Sequence, residues 1–411
     1  MKLYLFDEAV ADGWAPFSLT RPIGELRFGA LLLRERIEAW VGQEAEGHLV
    51  GRPWLASFEE PGAPAIRTPL SLPTEAGRLL VSSRFVPERR SGRTFEADER
   101  ADRAVVLVAG GVAVGCYLPP GRDGVGADWL AEPGSLPGAA EREVEGRVLD
   151  APWDLVRLGP ERTALDVAAR ASDREARVLP DGVWRIGDEP LVLEEGVEIE
   201  PGVVLDLRHG PIGLGRDVRV RAGCRLEGPV WAGAGSRLLG GPIAGLATGP
   251  ASYLRGEVAE VQAVGWINKA HEGHLGHALL GRWINLGAGT TNSDLKNNYG
   301  GVRVGPPGHE VDTGLLKLGC LVGDHAKTAI GTMLDTGTIV GAGANLFGPG
   351  RPPRWVAPFT WGFGQDAGVY RREAFLATAA VVMDRRGIEL TSGARRWLAG
   401  VWDEACGGGR A

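Results

Sequence analysis

Lysine and asparagine are scarce in this 411-residue chain, which has five of the first and six of the second. Four lysines, Lys269, Lys296, Lys317 and Lys327, fall between 269 and 327. All six asparagines, Asn268, Asn285, Asn292, Asn297, Asn298 and Asn345, fall between 268 and 345. Elsewhere the basic residue is almost always arginine. Where lysine and asparagine persist against that bias, their own chemistry is a reason to keep them: a compact ammonium with three donors, and an amide that both donates and accepts. Cysteine is also sparse. Cys116, Cys224, Cys320 and Cys406 form no CxxC pair, which argues against a disulfide framework or a thiolate metal site and for a reduced, cytoplasmic setting. Net charge is −7 with no long basic run, which argues against nucleic acid as a partner. No apolar run approaches the roughly 20 residues of a membrane span, and the first residues lack the apolar core of a signal peptide.

What is abundant is glycine, 63 of 411, about twice the usual share of roughly 7%. Much of it belongs to a period of six. From Leu214 the chain reads "LGRDVR VRAGCR LEGPVW AGAGSR LLGGPI A". Leu214, Val220, Leu226, Ala232, Leu238 and Ala244 recur every sixth residue, and Val218, Cys224, Val230, Ser236 and Pro242 each follow by four. The pattern also appears from Leu193, Leu280 and Val322. Six fits neither the helical period nor simple alternation. It fits the short strands of a parallel β-helix, three rungs to a triangular coil of roughly 18 residues, with the aliphatic residue pointing inward. Residues 246–279, which hold His271, His274 and His277, break the hexads. So does 292–313, which holds "NSDLKNNYGG". Both breaks are expected to be loops outside the prism, where binding residues belong.

Residues 1–185 lack the hexad and read as a smaller α/β domain. "KLYLF" is a buried strand, "GELRFGALLLRERIEAWVG" an amphipathic helix ending at Gly42, and "RAVVLVAGGVAVGCYL" a pair of strands. Residues 119–147 are expected as loop, and "PERTALDVAARASDREARVL" as a helix leading into the coils. The β-helix is assigned to 186–350. Residues 351–411 are read as the linker "RPPRWVAP" followed by two helices.

The stretches "NKAHEGHLGHALLGRWINLGAGTTNSDLKNNYG" and "VGDHAKTAIGTMLDTGTIVGAGANLFG" resemble the acyltransferase half of enzymes that couple UDP-N-acetylglucosamine pyrophosphorylase to glucosamine-1-phosphate N-acetyltransferase. "SLTRPIGELRFGALLLRERIE" resembles a variant sugar-nucleotidyltransferase domain joined to such a β-helix. The resemblance implies a cytoplasmic trimer of left-handed β-helices with sites between subunits. It implies acetyl-CoA as donor, a sugar phosphate and a nucleoside triphosphate as further ligands, Mg²⁺ for nucleotidyl transfer, and a histidine base. His271 matches that base. His274 falls near a tyrosine that contacts the sugar phosphate, Asn285 opens "NLGAGT", and Asn298 with Tyr299 matches an Asn-Tyr pair near the acyl donor. The chain departs from the family in two places. Glu257 and Glu260 stand where lysines for the sugar phosphate are expected, and "DEAVADGWAPFSLTRP" replaces the Gly-x-Gly-Thr-Arg phosphate loop.

The chemistry agrees with these positions. An imidazole titrating near neutrality suits removal of a proton from an attacking amine, and backbone N–H groups in "GAGT" suit an oxyanion. Lys269 on the substrate side and Lys327 on the donor side are candidates to hold phosphates. For nucleotidyl transfer, Arg21 and Arg27 are candidate nucleotide ligands and Asp7, ending the first strand, a candidate metal ligand, with Arg34 and Arg36 read as solvating a helix face. Two other readings of the histidines stay open: a surface loop, and a zinc site, although "HEGH" misses the helical HExxH spacing. At the level of the chain the alternatives are an acyltransferase with a degenerate first domain, and a non-catalytic β-helix scaffold.

Overall fold

The computed structural model describes residues 1–68, 72–88, 103–172 and 178–407. Lys2–Phe6, apolar nearly throughout, becomes a central buried strand of a seven-stranded sheet. Spatially the order is 140–143, 105–109, 112–118, 78–82, 2–6, 45–49 and 66–67. Only Val112–Leu118 runs antiparallel to its neighbours. It forms the expected strand pair with Val105–Ala109. The segment 119–147 is less loop-like than expected: it holds the short helix Ala127–Ala131, the edge strand Ala140–Glu143, and Gly146–Val148 paired with Phe85–Pro87.

The first long helix is shorter than its sequence pattern. It spans Leu33–Val41, buries Leu33, Ile37, Trp40 and Val41, and ends at left-handed Gly42 (φ 74°) as expected. The residues before it form a two-residue hairpin, Arg27–Phe28 against Leu31–Leu32. Gly29, at φ 67°, turns that hairpin, and an added Cβ would lie 2.6 Å from Asp166 Oδ2. Arg34 and Arg36 do not solvate the helix. Arg34 pairs with Glu25 at 2.6 Å and Glu38 at 2.8 Å, and Arg36 with Asp166 at 2.5 Å, all of them buried or nearly so. An arginine pattern on a helix cannot reveal carboxylates that arrive from residue 25 or 166.

The coils begin at Trp184–Ile186, after the helix Gly159–Ala171. Strands, parallel apart from the last, Gly368–Val369, stack into sheets of six, nine and ten, the three faces of a prism. Its interior is one aliphatic column in which Leu214, Leu226, Ala232 and Leu238 are fully buried, with Cys224 and Cys320 at small positions. The phase then slips: Ile243 is buried, whereas Ala244 is only half-buried. Leu214 pairs with Ala232, a full eighteen residues on, but Ala247 pairs with Gln262, fifteen on. The 246–279 stretch is therefore not an external loop. It is wall, built from coils with residues missing at the corners. Ala251, Glu260, Trp266 and His277 turn those corners at positive φ, a conformation uncommon for residues with a side chain. The shortened corners break the hexad without breaking the coil.

The second interruption does leave the wall. Leu279 pairs with Leu321, and the intervening chain carries the hairpin Arg303–Val304/Val311–Asp312. Its Val302, Val304 and Leu318 pack with Trp14, Phe17 and Leu155 of the first domain. Beyond Gly350 the coil also runs on: Trp355–Val356 and Thr360–Trp361 extend two of the sheets. Helices Arg372–Asp384 and Ser392–Trp402 follow as expected, and Phe375, Trp397 and Val401 pack on Phe359 and on Leu55 and Phe58 of the first domain. At one corner Trp266 stacks on Trp283 (5.1 Å between ring centroids), Trp283 on His325, and His325 meets the edge of Phe375.

The first domain sits on the nine-stranded face. The seam is ionic and fully buried. Arg21 forks onto Glu60 with two bonds of 2.8 Å and reaches Asp324 Oδ2 at 2.7 Å. Thr20 donates to the same oxygen at 2.6 Å, while Asp324 Oδ1 accepts from the Arg282 backbone N–H at 2.6 Å. Arg282 also reaches Glu60 at 2.5 Å and lies over Trp266. Burial works against charge on Arg21, but Asp324 and Glu60 outweigh it and raise its pKa. The Asp324 carboxyl is likewise buried, and Arg21 holds it below the usual carboxylate range. Removing one member leaves the others as uncompensated buried charges. Arg21→Ala is accordingly expected to cost about 3–5 kcal/mol, measured as the shift in urea unfolding with tryptophan fluorescence. A loss near zero would show that the seam is not under ionic control.

Candidate functional site

Strands Val258–Ala259 and Leu275–Gly276 are neighbours on the six-stranded face. Val258 and Leu275 point inward and are buried, which leaves Ala259 and Gly276 as a floor of small residues. Glu257 and His274 precede the two strands, and Glu260 and His277 follow them. The pairing places acid beside imidazole twice. His274 Nδ1 lies 3.2 Å from Glu257 Oε1, and His277 Nε2 lies 3.2 Å from Glu260 Oε2. Asp294, from the loop that leaves the wall, binds His277 Nδ1 at 2.7 Å and lies 3.8 Å from His274 Nε2. Asn292 fixes the base of that loop, accepting from Gly276 N at 2.8 Å and donating to Gly276 O at 2.9 Å. Gly276 is required for the approach, since a Cβ there would lie 2.4 Å from His274 Nε2 and 2.7 Å from Asp294 Oδ2.

Burial opposes a charge on His277, but the bond from Glu260 and then Asp294 outweigh it and raise its pKa. The same bond lowers that of Glu260. Both partners therefore favour the ion pair. Asp294 was not among the residues singled out from sequence. The only signal was its place just inside a hexad interruption. Among the described residues no group of three His, Cys, Asp or Glu is placed to hold a metal ion, so the zinc reading of the three histidines finds no support.

The remaining candidates lie in separate places. His271 is an exposed corner residue. Its carbonyl accepts from Lys269 Nζ at 3.0 Å, and Lys269 also donates to Arg255 O at 2.7 Å. Lys269 is buried, and burial lowers its pKa to about 8. Asn285 lies on the ten-stranded face in a continuous ladder: Asn268 pairs with Asn285, Asn285 with Lys327, and Lys327 with Asn345. Asn268 donates to Asn285 at 2.7 Å. Lys327 donates to His325 O at 3.0 Å, and burial brings it to about 8. Four of the clustered Lys and Asn residues thus form one row of stacked coils. Asn298 and Tyr299 are exposed on the loop, Tyr299 at 71%. Within one chain these residues do not converge.

In the first domain, the chain leaves strand 2–6 for neighbours on opposite sides, 45–49 and 78–82. Their carboxyl ends therefore form the crevice where such sheets bind ligands. Asp7, Glu8, Ser82, Ser83 and Arg84 lie there, but residues 9–32 pack over it. Asp7 Oδ2 accepts from Ile23 N at 3.0 Å and pairs with Arg52. Its Oδ1 is buried with no partner among the described residues. Glu8 takes Arg84 at 2.7 Å. A lone carboxylate already neutralised by an arginine does not fit a divalent ion, so Asp7 as placed is no Mg²⁺ site. Nor is Arg21 open to a nucleotide, its guanidinium being taken by Glu60 and Asp324. Arg27 is buried between hairpin and solenoid, donating to Ala30 O at 2.6 Å, and burial lowers it to about 10.

A mixed sheet with its crevice at a strand-order reversal, mounted on a parallel hexad solenoid, defines a two-module architecture. Residues 3–175 match the family described as sugar nucleotidyl transferase. The chain is 33% identical over 227 residues to the bifunctional protein GlmU of Xylella fastidiosa (strain M12), a match covering 50% of this chain and 45% of that protein. It is 28% identical over 113 residues to a bifunctional sugar-1-phosphate nucleotidylyltransferase/acetyltransferase of Sulfurisphaera tokodaii, covering 24% of this chain and 28% of the relative. The chain is thus similar over residues 3–175 to sugar nucleotidyl transferases and also to proteins described as bifunctional nucleotidylyltransferase/acetyltransferases, and its match spans about half the length of the GlmU relatives.

Two outcomes test this geometry. Gly276→Ala should push His274 and Asp294 apart while the coil still folds; loss of the His274–Asp294 proximity, read as altered imidazole NMR shifts, is the check. Because folded His277 binds its proton more tightly than the unfolded residue, its stabilisation is complete below its unfolded pKa of about 6.5. It is lost as pH rises through the higher folded value. The stability gap between the parent and His277→Gln should therefore be widest in acid and close on the alkaline side. A gap that grows with pH would contradict the raised pKa.

Proposed function

We propose that the solenoid transfers an acetyl group from acetyl-CoA to the amine of an amino-sugar phosphate, and that the first domain serves sugar-1-phosphate nucleotidyl transfer in the same biosynthetic step pair. The observation that carries this reading is the paired imidazole–carboxylate cluster of His274, His277, Glu257, Glu260 and Asp294 on a floor of small residues, in a chain related to acetyltransferases of this architecture. His271 is the proposed general base. It takes a proton from the attacking nitrogen as the N–C bond forms and the C–S bond of the thioester breaks, and the thiolate leaves with a proton. Lys269 holds the His271 carbonyl and so fixes the corner. His274 and Asn285 face the acceptor. Asn298, Tyr299 and Lys327 serve the acyl donor, and Asn285, beside Lys327 on the ten-stranded face, comes with them from a neighbouring subunit of a cytoplasmic homotrimer, which supplies the convergence a single chain lacks. Nucleotidyl transfer would require Mg²⁺, which Asp7 and Glu8, paired with Arg52 and Arg84, do not fit as placed.

A second assignment of the base has a specific observation behind it. Glu257 meets His274 Nδ1, the orientation that a carboxylate gives a working imidazole. Incubating the protein with glucosamine-1-phosphate, acetyl-CoA, UTP and Mg²⁺ separates the activities, free thiol reporting acetyl transfer and pyrophosphate reporting nucleotidyl transfer. His271→Ala should lower thiol release by roughly 10² to 10⁴, the usual contribution of a positioned base, with the oligomer unchanged in light scattering. If His274→Ala carries that loss and His271→Ala does not, the base is His274. No thiol release from the parent protein with any amino-sugar phosphate sinks the acetyltransferase reading.

A further inference from the structure

A cleft of about 660 Å³ opens between helix Leu33–Val41, helix Gly159–Ala171 and the segment around Val86–Glu88, within the size range of small-molecule sites. It involves none of the crevice residues Asp7, Glu8, Arg52 or Arg84, and none of the solenoid histidines. Its floor is a single buried carboxylate surrounded by cations. Asp166, 4% exposed, binds Arg36 at 2.9 and 2.5 Å and Arg162 at 2.9 Å, and accepts from Ala30 N at 2.9 Å. Arg170 donates to the Asp166 carbonyl at 3.3 Å and is held over Trp231 of the solenoid at 4.6 Å. Asp166 binds two of these guanidiniums directly, and Arg170, on which Asp166, Glu194 and Glu35 all act, lies beside them. Arg36, 6% exposed and lining the cleft, keeps a buried Nε with no partner among the described residues. Behind it lies Arg27, with no ion pair among the described residues; burial works first against its charge, Glu35 favours it, and Arg282, Arg170 and Arg36 disfavour it. The remaining carboxylates of the lining, Glu88 and Glu161, are exposed, where water screens them. Arg147, also exposed, stands on the lining, and Phe28, Trp40 and Leu165 provide apolar wall.

We propose that this cleft is a binding site for a small phosphate-bearing ligand, its phosphate held by Arg147, Arg162 and Arg170 and its remainder lying on the apolar wall around Leu165. A fixed cluster of guanidiniums with spare donors suits a phosphate, which accepts from several forks at once. A carboxylate ligand would satisfy fewer of them. Asp166 keeps the arginines in place in the ligand's absence. Because Arg170 rests on Trp231 and Gly29 N donates to Gln262 Oε1 at 3.0 Å, the site lies where the first domain grips the solenoid.

The test is calorimetric titration of the full chain with inorganic pyrophosphate. Arg147→Glu and Leu165→Glu change exposed lining residues, so the fold should be retained. Saturable binding by the parent protein, weakened tenfold or more in each variant and unchanged in Arg84→Ala at the sheet crevice, is the expected result. Absence of binding by the parent protein overturns the proposal. So does parent-like affinity in both variants, or a loss confined to Arg84→Ala, which would assign the anion to the crevice. None of these outcomes depends on acetyl transfer, so failure here and failure of the acetyltransferase reading are distinguishable.

Discussion

The contact on which the rest of the architecture depends is the buried quartet of Arg21, Glu60, Arg282 and Asp324. Two cations and two anions from four stretches of chain, 303 residues apart at the widest, meet with almost no exposure. Such a cluster is not an obvious source of net stability, because desolvation consumes much of the Coulombic gain. It does impose a register. The same placement lets Glu60 bind Arg282, which lies over Trp266, and sets Leu55 and Phe58 against the terminal helices.

The first domain is therefore held in a particular state. Its sheet order provides a ligand crevice, but the chain after the first strand, where a phosphate-cradling loop was absent from the sequence, folds into that crevice. The docking contacts made by Thr20 and Arg21 fix the segment there. Acid–base pairs line the crevice, Asp7 with Arg52 and Glu8 with Arg84. The solenoid site is built differently. Its two imidazoles are each flanked by carboxylates, and Lys317, among the charges acting on Glu260, is exposed beside it.

Much of the fold was legible because a period is a local property. Leu214, Val220 and Leu226 announce the prism interior, "KLYLF" a central strand, and Gly42 a helix end. What could not be read was set by distant partners. Arg34 and Arg36 look like solvent-facing charges until Glu25 and Asp166 arrive beside them. The histidine segment looked like a loop because its coils drop residues at the corners, and a missing residue removes the period while leaving the hydrogen bonds. Within the candidate site, the histidines were visible by their concentration in the sequence. Their partner Asp294 was not, since only the loop's return to Asn292 and Gly276 brings it near. Asn285 and Lys327 were visible by composition, but their common cause, a ladder on one face, is a property of the stacked coils.

The corner stack of Trp266, Trp283, His325 and Phe375 joins the coil wall to the first terminal helix. Burial holds the His325 ring neutral, at a pKa of about 3, so acidification over the physiological range does not charge the stack. Two indoles in face contact, with a guanidinium over one and a neutral imidazole beside the other, share their excited states. The molecule thus carries its own optical gauge at the seam: the near-ultraviolet signal of that pair registers whether the last helices are seated, without a label and independently of any substrate.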